Sequence, residues 1–238
     1  MGTKLLERLE KSAFAKAGMA IAVFGMILTG WAGLQHYRER SASLPNPAEQ
    51  PNACTLWFVG SSSIHRWTSL EKDMAPWRAF NRGIDGALYD DIMARFANTD
   101  REPKPAAIIL YAGENDIATG ASSRTTMRNL AAFLDLRSRI MGHVPVLVLS
   151  MKPSPGRRQN LGQQQLFNSA ARHLLLSQPN AHFGNITAPL LAGGKMGDNY
   201  RADGIHMNAA GYRIWAKLIR LRLREMLPKD VLQSCDPV

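Results

Sequence analysis

The sequence predicts an α/β fold built on a parallel sheet of about five strands. Three observations carry this reading. Short apolar runs at 55–59, 79–84, 106–111, 145–151 and 181–186 alternate with longer stretches of helical spacing, the order of repeated βα units. The runs at 55–59, 106–111 and 145–151 carry no charge and are rich in aliphatic and aromatic residues, as strands covered on both faces are. The first four runs give way to Gly, Ser, Asn or Pro, the residues of turns.

The 238 residues are 45% hydrophobic and 20% charged, enough for one sizeable core and one domain. The first fifty residues are a different material. Ala17 to Leu34 holds no charged residue and approaches the ~20 residues of a membrane-spanning helix. Lys4, Arg8, Lys11 and Lys16 precede it against Glu7 and Glu10, and Arg38 and Arg40 follow. That balance places the N-terminus in the cytoplasm and the bulk of the chain outside. The expected division is a basic cytoplasmic segment 1–16, a transmembrane signal-anchor 17–36, a linker 37–52 and a domain 53–238. Pro45, Pro47 and Pro51 make the stretch from Ser41 to Asn52 a semi-stiff solvated tether outside the fold. A cleaved signal peptide is the competing reading of the apolar run, and the domain is exported either way. The expected location is a bacterial-type inner membrane with the domain on its outer side.

The formal charge is +10. Residues 1–45, with six Lys/Arg against three Asp/Glu, contribute +3 and leave +7 for the rest. A basic exported domain suits anionic lipid or acidic polysaccharide. Nucleic acid is excluded as a partner, since no recognition motif is present and the chain is exported. Cys54 opens the first strand, and Cys235 follows a last helix that should finish at the amino-terminal edge of the sheet. A disulfide between them is geometrically reasonable outside the cytoplasm, two free thiols being the alternative. Two cysteines so far apart do not make a metal site.

The elements follow in order. Thr55–Val59 is the first strand and ends at Gly60-Ser61-Ser62-Ser63, before Ile64 to Trp67. Ala79–Ile84 is a short second strand entering Asp85-Gly86-Ala87, with a helix over Leu88–Ala97. Ala106–Tyr111, introduced by Pro103 and Pro105, is the clearest central strand. The helix at Thr125–Ile140 turns Leu130, Phe133 and Leu134 inward, its faces dividing at Leu136 or Arg137. Pro145–Met151 stops at Lys152-Pro153-Ser154-Pro155, which cannot continue a central strand. Asn160–Ser177 is helical, Ala181–Ile186 is a weak edge strand, and Asn208–Leu227 is a long basic amphipathic helix. Its expected inward residues are Ile214, Leu218, Leu221 and Met226 or Leu227, and its Arg/Lys face is read as solvated surface. Four strand ends deliver loops to one edge: 60–63, 84–86, 113–116 and 152–157.

That edge is where open α/β sheets place ligands. A hydroxyl on the Gly60–Ser63 turn is a candidate nucleophile, because the following helix aims backbone N–H groups at a developing negative charge. The turn alone reads equally well as an N-cap, and Gly-x-Ser-x-Gly is absent. Asp203-Gly204-Ile205-His206 sets a carboxylate three residues before an imidazole. One ring nitrogen can then bond the carboxylate while the other faces the cleft. His36, His65, His143, His173 and His182 have no comparable partner in sequence. Asn115, at the end of the best strand, can donate a side-chain N–H to an oxyanion, and Gly86 a backbone N–H with no side chain in the way.

These residues resemble the four blocks of the SGNH/GDSL hydrolases, serine esterases and lipases on a flavodoxin-like three-layer sandwich. Phe58-Val59-Gly60-Ser61-Ser62-Ser63-Ile64 is similar to the first block, with Ser62 at its nucleophile. Asn81 to Gly86 resembles the second, Gly113-Glu114-Asn115-Asp116 the third, and Asp203 to His206 the last. The resemblance spans about Thr55 to Leu227. One departure is Ser61, where the family usually has aspartate. The sequence looks like a Gly-Ser-Ser-Ser-Ile subgroup that also carries Lys152-Pro153-Ser154-Pro155 and Arg157. Ser61 and Ser63 remain rival nucleophiles.

The resemblance implies acyl transfer to water, with Ser62 attacking, His206 taking its proton and Asp203 holding His206. The backbone N–H groups of Ser62 and Gly86 and the Asn115 side chain would bind the oxyanion, and Arg157 an anionic group of the substrate. No metal or organic cofactor is implied. The expected function is a membrane-tethered esterase removing O-acetyl groups from envelope or extracellular polysaccharide. A lysophospholipase or thioesterase is the alternative; Met127, Phe133 and Phe167 are available to line its apolar cleft but fit helix core positions equally well. A silent carbohydrate- or lipid-binding module is an alternative from a different class. The sequence leaves oligomeric state and acyl length open.

Overall fold

In the computed structural model, strand β1 (Thr55–Gly60) is buried along its whole length. Its alternation explains the layers. Leu56 and Phe58 point into one apolar cluster and Trp57 and Val59 into another, the two-sided burial of a central parallel strand. The structure describes residues 19, 24–35, 37, 38, 40–47, 50, 52–191 and 196–235.

Four further strands complete the sheet: β2 (Arg78–Gly83), β3 (Ala107–Tyr111), β4 (Val146–Leu149) and β5 (Ala181–Gly184). All pair in parallel, in the order β2-β1-β3-β4-β5. Strand order reverses between β1 and β3, so the loops leaving those two strands flank the crevice of a doubly wound sheet. Gly60 sits opposite Gly83 of β2 and Tyr111 of β3, which sets three strand ends side by side.

Helices α1 (Ser62–His65) and α2 (Leu70–Met74) follow β1. Helix α3 (Tyr89–Phe96) follows β2, and α4 (Glu114–Ala118) and α5 (Ser123–Met141) follow β3. After β4 come a 3₁₀ stretch (Pro155–Asn160) and α6 (Leu161–Leu176). Beyond β5 lie α7 (Thr187–Leu191), α8 (Ala209–Met226) and α9 (Lys229–Cys235). Phe96, Leu130, Phe133 and Phe167 build the core on one face of the sheet, and Trp67, Trp215, Ile219 and Leu223 the core on the other. Ser122 starts α5 by accepting from the Thr125 N–H at 3.1 Å, and Asn208 starts α8 by accepting from Gly211 at 3.0 Å, side-chain caps that satisfy otherwise orphan donors.

Several expectations change. The fold begins earlier than residue 53. Leu44 is buried, and the fully buried Arg82 donates to the Leu44 and Pro45 carbonyls at 3.1 and 3.0 Å. Ser43 donates to Glu102 at 2.6 Å, so Ser43 to Asn46 belong to the domain and not to a free tether. Arginine's five donors allow this clamp, and the sequence shows no periodicity that marks it. Helix α8 holds part of its expected face, since Leu227 is buried and Ile214, Leu218 and Met226 pack half-buried against the core, but it is centred on Tyr212, Trp215, Ile219 and Leu223, and Leu221 is 57% exposed. Bulk decided the centre of the face, since Trp215 packs its large area against Trp67 and Tyr111. Arg137 is buried, donating to the carbonyls of Gly142 and Pro179.

The chain divides into two units, Met1–Ala42 and the domain Ser43–Val238. The expected basic segment 1–16 lies outside the described residues, as do 17, 18, 20–23 and 36 of the expected span. Residues 24–35 are helical, and among the described residues no helix is long and apolar enough to cross a membrane. The membrane helix at 17–36 therefore gains no support from the structure.

Cys54 and Cys235 form a disulfide that closes a sequence separation of 181 residues. It ties α9 to the start of β1. A loop of that length removes enough unfolded-chain entropy to stabilise the fold by about 5 kcal/mol in the chain-entropy model. The double variant Cys54→Ser/Cys235→Ser is expected to unfold at clearly lower guanidinium concentration than the oxidised protein, and to match the wild type under dithiothreitol. Identical midpoints for oxidised and reduced wild type would refute the stabilising role.

Candidate active site

Ser62 is the first residue of α1 and only 7% exposed. Its hydroxyl lies 3.0 Å from His206 Nε2, and His206 Nδ1 lies 2.7 Å from Asp203 Oδ2. The second carboxylate oxygen, Oδ1, accepts from the backbone N–H groups of Ile205 and His206 at 2.8 and 2.9 Å. With Nδ1 donating to the carboxylate, Nε2 is left as the acceptor for the Ser62 proton. Partial desolvation works against the Asp203 charge, but the ring and two backbone donors outweigh it and hold the carboxyl well below the usual range. Ser61 and Ser63 are placed otherwise. The Ser61 carbonyl accepts from Ile64 and His65 within the turn, the Ser63 carbonyl accepts from the Tyr212 hydroxyl at 2.9 Å, and of the three hydroxyls Ser62's is the one at His206.

Two close approaches explain why the loops can meet. A Cβ at Gly83 would fall 2.3 Å from the His65 backbone nitrogen, so only glycine lets the end of β2 lie against α1. A Cβ at Gly156 would fall 2.9 Å from the Asp203 carbonyl oxygen, and the Gly156 N–H donates to the Gly204 carbonyl at 2.9 Å. The loop after β4 thus braces the Asp203–His206 loop.

Gly86, with φ +70°, lies in the loop after β2. Asn115 lies in α4 after β3, is 7% exposed, and donates from Nδ2 to the Ala87 carbonyl at 3.0 Å. Its Oδ1 accepts from Arg157 Nη2 at 2.9 Å. Ser62, Gly86 and Asn115 therefore stand on three adjacent strand ends, as expected. Asp116 is a packing residue: it accepts from the Tyr89 N–H at 3.3 Å at the start of α3, and burial pushes its carboxyl up.

Behind Asn115 lies a cluster that sequence reasoning did not assemble. Glu114, 2% exposed, accepts from Lys152 Nζ, from the Tyr111 hydroxyl and from the Ser154 hydroxyl, the last at 3.2 Å. Arg157 Nη1 stands 3.5 Å from its other oxygen. Desolvation works to raise the Glu114 carboxyl, but the charges of Lys152 and Arg157 and its hydrogen bonds prevail and keep it below the ordinary value. Desolvation, with Glu114 beside it, pushes the Tyr111 hydroxyl well up, so it stays protonated. A signal was available: Glu114 and Lys152 are the first charged residues after two uncharged strands, β3 and β4, that pair directly. Among the described residues no group of three or more His, Cys, Asp or Glu is arranged to hold a metal ion.

Five parallel strands bring a hydrogen-bonded serine, histidine and aspartate to their carboxyl edge, an arrangement chemically able to carry out acyl transfer through the serine hydroxyl. Residues 54–214 match the model of the GDSL-like lipase/acylhydrolase family. The chain belongs to that family and is an ester-bond hydrolase. No curated protein matches the sequence. Among solved structures, the fold is shared with a Bacteroides fragilis protein assigned as an acylhydrolase, at TM-score 0.64 and 23% identity over 83% of this chain and 99% of that one. A GDSL-like lipase from Bacteroides thetaiotaomicron gives 0.61 and 23% over 81% and 98%. A carbohydrate esterase family 3 protein from Talaromyces cellulolyticus gives 0.58 and 16% over 72% and 96%.

Proposed function

We propose that this chain is an exported, membrane-tethered carboxylic-ester hydrolase working through Ser62, His206 and Asp203, and that it removes O-acetyl groups from envelope or extracellular polysaccharide. The observation that carries the reading is the unbroken line of hydrogen bonds from Ser62 Oγ through His206 to Asp203. Ser62 Oγ attacks the ester carbonyl and His206 Nε2 takes its proton. The oxyanion is met by the backbone N–H groups of Ser62 and Gly86 and by Asn115 Nδ2. His206 then returns the proton to the leaving alcohol. A water, activated by the same nitrogen, releases the acid and restores Ser62. Side chains of this chain handle every proton in the cycle.

Several observations favour a short acyl group on a large alcohol. The Asp203 side chain is 40% exposed, so the triad stands at an open rim that a sugar chain can approach. Of the candidate wall of a long-chain cleft, Phe133 and Phe167 are fully buried in the core and Met127 packs half-buried against it. The fungal carbohydrate esterase with this fold points the same way. Export is supported by the disulfide, which persists in oxidising compartments. Tethering rests on the uncharged run 17–34. The complete hydrogen-bonded set speaks against a silent binding module.

The test is a fluorophosphonate probe followed by peptide mass spectrometry, beside hydrolysis of p-nitrophenyl acetate, butyrate and palmitate. A single adduct on Ser62, with acetate turned over fastest, is expected. An adduct elsewhere, or palmitate preferred, would remove the triad or the deacetylase reading respectively.

A further inference from the structure

We infer that Arg157 is a positioning residue for the oxyanion donor. It locks the side-chain amide of Asn115 so that an N–H of Nδ2 faces the reacting carbonyl, and it does so from a buried platform of Glu114, Lys152, Tyr111 and Ser154. The inference deepens the reading of Ser62 as nucleophile and rests on it.

An asparagine amide is nearly symmetric in shape, and a half-turn about its last torsion exchanges donor for acceptor. Turned the wrong way, Asn115 would present an oxygen to the developing oxyanion. Two contacts forbid that. Arg157 Nη2 donates to Oδ1 at 2.9 Å, and Nδ2 donates to the Ala87 carbonyl at 3.0 Å. A guanidinium has donors only, so the reversed amide would set nitrogen against nitrogen and oxygen against oxygen. Of the two Nδ2 hydrogens, one goes to Ala87 and the other is left for the site.

The guanidinium is itself held. Its side chain is 16% exposed and bridges from Asn115 to Glu114, with Nη1 3.5 Å from Oε1. Gly156, its neighbour, is pinned to the Asp203 loop through the Gly204 carbonyl. At Arg157 the backbone leaves helical geometry inside its 3₁₀ stretch, with φ −131° and ψ 33°. Glu114 is thus one carboxylate between two cations, Lys152 and Arg157. The cluster carries one net positive charge directly behind the amide. Buried ion pairs are a poor route to stability compared with apolar packing, which leaves function as the reason for three charges at this spot. A charge-assisted bond to Oδ1 also polarises the amide and strengthens its N–H as a donor. An arginine whose fork is given to Asn115 and Glu114 is not arranged to hold a substrate anion, which revises the role expected from sequence.

The test uses the full chain with Arg157→Met, Arg157→Lys, Asn115→Ala and the Arg157→Met/Asn115→Ala pair, each titrated for active Ser62 with the fluorophosphonate. On p-nitrophenyl acetate, Arg157→Met is expected to lower kcat per active site by about 10–100-fold, less than the ~10²–10³ of deleting an oxyanion donor outright. KM should stay within about twofold, because the contact acts on the transition state and not on ground-state binding. Arg157→Lys should recover only part of the rate, lacking the planar fork. In the Asn115→Ala background, Arg157→Met should change kcat by no more than about twofold, since the two act as one unit. Full independent losses in the pair, or a raised KM for anionic esters with kcat unchanged, would overturn the inference. A merely structural arginine would reduce the titratable fraction and leave kcat per site intact, which also overturns it. The side-chain ¹H–¹⁵N resonances of Asn115 read positioning without turnover: they should shift and broaden in Arg157→Met, and unchanged resonances refute the role. Should the wild type hydrolyse no ester and take no label, the Ser62 reading fails by itself while those resonances still decide about Arg157.

Discussion

Ser62→Ala is expected to lower kcat/KM for p-nitrophenyl acetate by about 10⁴-fold or more, the scale on which members of such a triad matter. The substitution removes one oxygen from a nearly buried side chain and leaves the backbone N–H at the start of α1 in place. KM and thermal stability should therefore hardly move, and residual activity from the remaining donors should survive. His206→Ala should cost a similar factor, and Ser62→Ala/His206→Ala should be little worse than either alone, because nucleophile and base act in one proton transfer. Asp203→Asn should be milder than losing Ser62. Asparagine keeps an acceptor for the Ile205 and His206 backbone N–H groups, but loses the charge that stabilises the imidazolium. Stopped-flow with p-nitrophenyl acetate, normalised to folded protein, measures all four. Equal rates for wild type and Ser62→Ala would end the case for this serine.

Why was the site legible and its support not? Ser62, Asp203 and His206, which the structure joins by hydrogen bonds, could be picked out because each sits in a local pattern. These are an apolar strand run into small polar residues, or a carboxylate three residues before a histidine, and such patterns survive in one dimension. The five strands were readable for the same reason, since burial on both faces forces uncharged runs. The short helices α2, α4, α7 and α9 carry no period long enough to see. The orientation of α8 depended on Trp215 packing against Trp67 and Tyr111, which are far away in sequence. The Glu114–Lys152–Arg157 cluster joins residues about forty positions apart, and a solitary acid or base after a strand does not declare its partner. The same holds for Arg82, whose partners Leu44 and Pro45 lie in a stretch whose prolines suggested a free tether.

Glu114→Gln is expected to destabilise the fold by about 3–5 kcal/mol, the cost of leaving a buried charge without its partner. Lys152 is fully buried and its Nζ bonds Glu114 and the Tyr111 hydroxyl. With a neutral amide in place of the carboxylate, two cations would face one another with no anion between them. Lys152→Met should cost less, because Glu114 would keep Arg157, Tyr111 and Ser154 as partners. The double variant Glu114→Gln/Lys152→Met should regain most of the stability, since an ion pair replaced as a whole avoids the unpaired charge. Denaturant unfolding of the four proteins closes the cycle, and additive losses would show that the pair is not coupled. The pH dependence gives an independent check. Because Glu114 is held below its ordinary value of 4.5 in the fold, the unfolded chain binds its proton first. The carboxylate's contribution is therefore complete above about 4.5 and is lost as pH falls below it. Wild-type stability should drop across that window more steeply than that of Glu114→Gln. Activity should part from stability in the double variant: it folds, but Arg157 has lost its carboxylate anchor, so kcat stays below wild type while the serine still takes the label.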